Sequence, residues 1–235
     1  MNIPNPHLKS RVPSPPPLKQ GDHLTRAEFE RRYEAMPEVK KAELIEGVVY
    51  MPSPVRWGQH ASPHAHVLCW LGTYEANTPG VQSADNGTVR LDDDNEPQPD
   101  AALIIKPSHR GQVQVSDDDY VVGAPELVVE VAASSVSIDL HDKRQAYARN
   151  GVREYIVWRT QEEAIDWFVL RGSQYQAQAL DAAGRYRSEQ FPGLWLDAGA
   201  LLRGDLATVL RVLQEGIGSP EHATFVTALQ QAAAK

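Results

Sequence analysis

The chain has 235 residues, with 31 acidic and 23 basic side chains and a formal net charge of −8. That length builds one good-sized core with appendages, and the acidity excludes a non-specific nucleic-acid coat, though not a nuclease whose clustered carboxylates hold cations. No apolar run is long enough to cross a bilayer, the N-terminal stretch lacks the apolar segment of a secretory signal, and Cys69, the only cysteine, rules out an internal disulfide and fits a reducing cytoplasm.

In chain order, residues 1–22 are dense in proline and read as a disordered tail. One domain is expected over residues 23–203, and a helical appendage over 204–235. Thr25 and Glu28 in LTRAEFERRYEAM have capping-box spacing at the head of a helix. KKAELIEGVVYMPSP reads as a hairpin turning at Glu46 and Gly47. HAHVLCWLGTYEAN has helical spacing, with Val67, Leu68, Leu71 and Tyr74 on one apolar face. GTVRL and PDAALIIK are strands flanking the acidic loop DDDNEPQ, and the polar loop SHRGQVQVSDDDYVVG leads to the strand LVVEV. SIDLHDKRQAYARNGV reads as a helix starting near Ser137 or Asp139 and stopping at Asn150 and Gly151. The strands EYIVW, AIDWFVLRG and SQYQAQAL follow, then two amphipathic helices in GDLATVLRVLQEG and PEHATFVTALQQAAAK. A strand–helix–strand crossover from Leu127 to Trp158 makes the class α/β.

The acids within apolar strands carry the chemistry. Alternation puts Glu126, Val128, Glu130 and Ala132 on one face of their strand, and Leu127, Val129 and Val131 on the other. Apolar residues on both faces imply an interior strand. Glu130 therefore points into the protein or a cleft, where a carboxylate must be paired, neutralised or bound to a metal. Asp100 opens an apolar strand directly after Pro99. Glu43 lies within the hairpin, with Glu46 at the turn as its rival. Leu140, Lys143 and Tyr147 share a helix face, so packing of Leu140 and Tyr147 on the sheet would carry the Lys143 ammonium there. Beside buried carboxylates it can pair them or orient a water.

The segments AELIEGVVYMPSP, QPDAALI, APELVVEVAASS and DKRQAYARNGVREYIVW, with His60 among them, run in an order that resembles the PD-(D/E)XK nuclease superfamily. The closer resemblance, over roughly residues 23–203, is to its Uma-two family of bacterial endonucleases. That resemblance implies a restriction-endonuclease-like core, a mixed β-sheet flanked by helices. It implies Mg²⁺ or Mn²⁺ held by Asp100, Glu130 and the Val131 carbonyl, with Glu43 as a further acid, and Lys143 orienting the attacking water. The wider superfamily places a lysine two residues after the strand acid. This chain has Ala132 there, and Lys143 on the following helix stands in for it. The implied activity is endonucleolytic phosphodiester hydrolysis, with DNA the expected nucleic acid and a homodimer the expected assembly. His60 enters on the same ground as a cleft residue or proton carrier.

Plainer readings stand beside these. An ion pair with Lys143 or an arginine would account for Glu130, a turn for Asp100, solvent for Glu43, and a solvated helix face for Lys143. Glu126 could cap or pair locally. His60, His64 and His66 invite zinc, but Pro63 interrupts their segment and no general-base glutamate has the metallohydrolase spacing. Asp92–Asp94 and Asp117–Asp119 read as solvated loop acids, without the glycine and terminal glutamate of a calcium loop. The rival function is a nuclease-fold binding or regulatory protein without turnover, favoured by Ala132 and the acidic surface. A third reading docks a partner on the C-terminal helices.

Overall fold

The computed structural model describes residues 14–52 and 54–234. Its strands are β1 (Glu43–Ile45), β2 (Val48–Tyr50), β3 (Val81–Asp85), β4 (Val89–Arg90), β5 (Ala101–Ile105), β6 (Gln114–Val115), β7 (Val121–Val122), β8 (Leu127–Ala132), β9 (Glu154–Arg159), β10 (Ala164–Arg171), β11 (Gln174–Ala177), β12 (Arg185–Arg187) and β13 (Trp195–Asp197). Its α-helices are α1 (Arg26–Tyr33), α2 (Ser62–Ala76), α3 (Val136–Ile138), α4 (Arg144–Asn150), α5 (Ala198–Leu202), α6 (Leu206–Ile217) and α7 (Pro220–Ala233). Two π-helical turns, Trp57–Ala61 and Asp139–Lys143, run directly into α2 and α4.

Six strands form one mixed sheet in the order β11–β10–β9–β8–β5–β3. The β8–β9 pair is parallel, joined by the helical crossover, and the other pairs are antiparallel. This is the mixed sheet flanked by helices that the sequence led us to expect. Every residue of β8 is buried, as its apolar alternation requires. Leu127, Val129 and Val131 face α2 and α6, packing with Trp70, Leu71, Trp167, Val209 and Leu213. Val128 and Ala132 face the crossover helix with Tyr147, Tyr155 and Phe168. Fully burying such side chains stabilises by about 1.5–3 kcal/mol each, so the central strand is the rigid element from which the site is hung.

The β1–β2 hairpin pairs Ile45 with Val48, leaving Glu46 and Gly47 as a two-residue turn. Both have positive φ, 51° and 74°, as the hairpin turn that matches strand twist requires. Gly151 ends α4 at φ 90°, a conformation glycine adopts without steric cost.

Several expectations are corrected. Thr25 does precede α1, but its hydroxyl makes no capping bond, and Glu28 instead pairs with Arg31 and Arg32 at 2.7 and 2.6 Å. Two guanidiniums one turn along outcompete a backbone amide for the carboxylate. Pro63 does not break the histidine-rich segment; it follows the π-helical turn directly, and Gln59 O, four residues before it, accepts from Thr160 Oγ1 instead. GTVRL forms β4 outside the main sheet, in a small ribbon with β6 and β7. β3 supplies the sheet edge from VQSAD, a segment with one buried residue and so no apolar pattern to read.

Of the expected tail, residues 1–13 lie outside the described residues. Leu18 is buried with Phe29, Leu44 and Val49. The two C-terminal helices form as read, capped by the Asp205 and Ser219 side chains. Val209, Leu213 and Leu229 join the main core rather than standing apart from it. Among the described residues no helix is long and apolar enough to cross a membrane.

Candidate active site

Glu130 projects from the centre of β8 toward the crossover helix. That helix turns first as α3, then through the π-helical Asp139–Lys143, then as α4. Lys143 Nζ lies 2.9 Å from Glu130 Oε1, 2.9 Å from Glu43 Oε1 and 3.8 Å from Asp139 Oδ1. One helical turn on, the Tyr147 hydroxyl donates to the same Glu130 oxygen at 2.9 Å. The shared face of Lys143 and Tyr147 is thus as expected, and the solvated reading of Lys143 is excluded, since it is buried.

Glu43 arrives from the hairpin, which docks on the strand segment leading to Asp100. Leu44 and Glu96 exchange backbone hydrogen bonds, and the Gln98 amide donates to Glu43 Oε1 at 2.7 Å. The rival Glu46 points elsewhere, forming a bidentate pair with Arg149 at 2.8 and 2.9 Å.

Asp100 sits at the mouth of β5, beside β8. Its Oδ2 accepts the Val131 amide at 2.8 Å, and its own amide points at Glu130 Oε2 at 3.5 Å. His60 Nε2 lies 3.1 Å from Oδ2, and Lys41 Nζ lies 3.6 Å from Oδ1. His64 Nε2 clasps the Asp100 carbonyl at 2.6 Å. Continuing the register beyond Ala101↔Val129 sets Pro99 opposite Val131. Proline has no N–H to give the Val131 carbonyl, so that oxygen is spared from the ladder.

Charge and burial push the two strand carboxylates in opposite directions. Burial drives Glu130 up to about 8; Lys143 opposes this, while Asp139, Asp100 and Glu43 reinforce it. Burial also works to raise Asp100, but the His60 hydrogen bond, the Lys41 charge and the Val131 amide hold it well below the usual carboxylate range. Burial disfavours the charged form of Lys143, yet Glu130, Glu43 and Asp139 outweigh that and hold its pKa well above the ordinary value. The centre therefore sets an ionised Asp100 and a charged Lys143 beside a Glu130 whose affinity for a proton is raised by burial. Such divergent carboxylates are a mark of functional sites.

Among the described residues no group of three or more His, Cys, Asp or Glu side chains converges on a metal position. The neighbouring oxygens of β5 and β8 are the Asp100 and Glu130 carboxylates, with Glu130 Oε1 taken by Lys143 and Tyr147; an all-oxygen set suits a hard cation such as Mg²⁺ or Mn²⁺ better than zinc. His66 does not join His60 and His64 on Asp100, which leaves the zinc reading without support.

Other acids are structural. Glu126 accepts the Ile105 and Gln112 amides at 2.9 Å each, and Asp92 holds Asn150 and Arg149 at the end of α4. Sequence reasoning missed Lys41, Asp139 and the Tyr147 hydroxyl. Lys41 had one available signal, since it precedes Glu43 by two residues and so falls on the same face of an extended segment.

The Uma2 (Uma-two) family model, described as "Putative restriction endonuclease", matches residues 26–199. A crystal structure described as a putative nuclease belonging to DUF820, from Anabaena variabilis, matches with a TM-score of 0.55 at 14% identity. The match covers 74% of this chain and 96% of that one, and it establishes a shared fold. No curated protein matches the chain.

Proposed function

Because this chain belongs to the Uma2 family of restriction-endonuclease-like proteins, we propose that it is a metal-dependent endonuclease hydrolysing nucleic-acid phosphodiester bonds, with DNA as the first substrate to try. The observation that carries this reading is buried Glu130, set between the Lys143 ammonium and Asp100 on the neighbouring strand. An ion pair with Lys143, the plainer reading of Glu130, is present too. By itself, however, it does not account for Asp100, whose backbone amide faces Glu130 from the neighbouring strand.

In this reading Asp100, Glu130 and the Val131 carbonyl hold Mg²⁺ or Mn²⁺, which when bound acidifies water and neutralises charge developing on phosphorus. Asp100 presents oxygens fixed by the Val131 amide and by His60. Lys143, pinned by Glu43 and Glu130, has one N–H left to direct at the attacking water. Glu43 serves as the further acid by holding Lys143 in place. With Asp100 ionised, His60 Nε2 carries the proton of their hydrogen bond. Its Nδ1, which has no partner among the described residues, is then the atom able to take a proton.

The test is cleavage of supercoiled plasmid, single-stranded DNA and RNA with Mg²⁺, Mn²⁺ or EDTA. Wild type should nick only with metal, and Asp100→Ala, Glu130→Ala and Lys143→Ala should each lose about 10²-fold or more. An inert wild type, or variants that cut equally well, would transfer the reading to a nuclease-fold binding protein without turnover.

A homodimer and a cytoplasmic location belong to the same proposal. Sedimentation at micromolar concentration should give a dimer, and a lone monomer would remove that part of it.

A further inference from the structure

The approach to α2 is exposed without interruption from residue 54 to 58, and Trp57 keeps 84% of its surface in solvent. Trp70, Trp158 and Trp167 are buried, and Trp195 lies under the Arg187 guanidinium, 4.1 Å from its ring centroid. Val55, two residues before Trp57, keeps 64% of its surface in solvent as well, so the segment presents apolar surface that a ligand can cover.

That position is specific. Trp57 opens the π-helical turn that also carries His60, the residue 3.1 Å from Asp100. Only Gly58 and Gln59 separate Trp57 from His60, so the exposed indole is carried by the same short turn as the Asp100 partner. The turn is held in place: Arg56 O accepts the His60 and Ala61 amides at 3.0 and 3.1 Å, and Thr160 Oγ1 donates to Gln59 O at 2.7 Å. The segment also differs in its own charge from the rest of the chain. From residue 47 to 74 there is no Asp or Glu in a chain with 31 of them, and Arg56 stands beside Trp57.

A free aromatic face beside a cation and a phosphodiester-cleaving centre fits a nucleobase. Stacking of this kind is open to an unpaired base, because bases in a continuous duplex already have both faces covered. Building on the nuclease reading above, we propose that Trp57 is a stacking platform for an unpaired base next to the scissile phosphate. The site would then take single-stranded or locally unpaired nucleic acid in preference to continuous duplex.

The experiment measures kcat/KM with Mg²⁺ on one oligonucleotide sequence, as single strand and as duplex, for wild type, Trp57→Ala and Trp57→Phe. Trp57→Ala should lower the single-strand value roughly 5- to 100-fold, mainly through KM, and shift the duplex value by less than about twofold. Trp57→Phe should restore most of the loss. Equal losses on both substrates, or none on the single strand, would overturn the proposal. So would an intact single-strand rate with loss of the dimer in sedimentation, which would assign Trp57 to a contact between copies. A wild type that cuts neither substrate fails the nuclease reading itself, and this proposal with it.

Discussion

Glu130→Gln is expected to abolish cleavage and metal-binding heat while leaving the metal-free protein as stable as wild type at pH 8, or more so. The sign follows from linkage. Glu130 titrates at about 8 in the folded protein against an ordinary 4.5, so between those values the folded state binds more protons than the unfolded one. Stability then falls as pH rises across that window. Burial also raises Glu96 to about 8 and Glu154 to about 7, with the same sign. Asp100, held low, works the other way: its contribution is present above its unfolded pKa and lost as pH falls through its folded one. Without metal, Tm should therefore peak at roughly pH 5 and decline toward pH 8. Glutamine matches the shape of the protonated acid and removes Glu130's share of that decline. Mg²⁺ should raise Tm at pH 8 for wild type only, since a cation displaces the Glu130 proton and needs the carboxylate. Thermal melts at pH 5 and 8, with and without Mg²⁺, read all of this. Equal Mg²⁺ responses in the two proteins would remove Glu130 from the metal site.

Lys143→Met is expected to destabilise by about 3–5 kcal/mol at pH 7, because removing one member of a buried charge cluster leaves the others uncompensated. Here three carboxylates lie within 2.9 to 3.8 Å of the ammonium. For a chain of this size that is a Tm drop of roughly 8–15 °C. The loss should shrink at pH 5, where the abandoned carboxylates can take up protons. Lys143→Arg should rescue only in part, since a planar fork does not match a slot shaped for a point charge. A methionine variant as stable as wild type at both pH values would mean that the ammonium compensates nothing.

What was legible in the sequence was local. The burial of β8 on both faces follows from the apolar residues around Glu130, and the hairpin turn follows from Gly47, which adopts positive φ without steric cost. The end of α4 follows from Gly151, and the common face of Lys143 and Tyr147 from a spacing of four. Each depends on a backbone geometry repeating over two to four residues, which a single chain displays directly. The choice of partners was decided by tertiary structure. Glu43 and Lys143 meet across 100 residues of chain and His60 and Asp100 across 40, so no local pattern distinguishes Glu43 from Glu46. Nor does composition announce a π-helical turn. Two such turns deliver His60, Asp139 and Lys143 to the centre, because the wider turn becomes favourable only when packing and polar contacts elsewhere in the fold outweigh its cost.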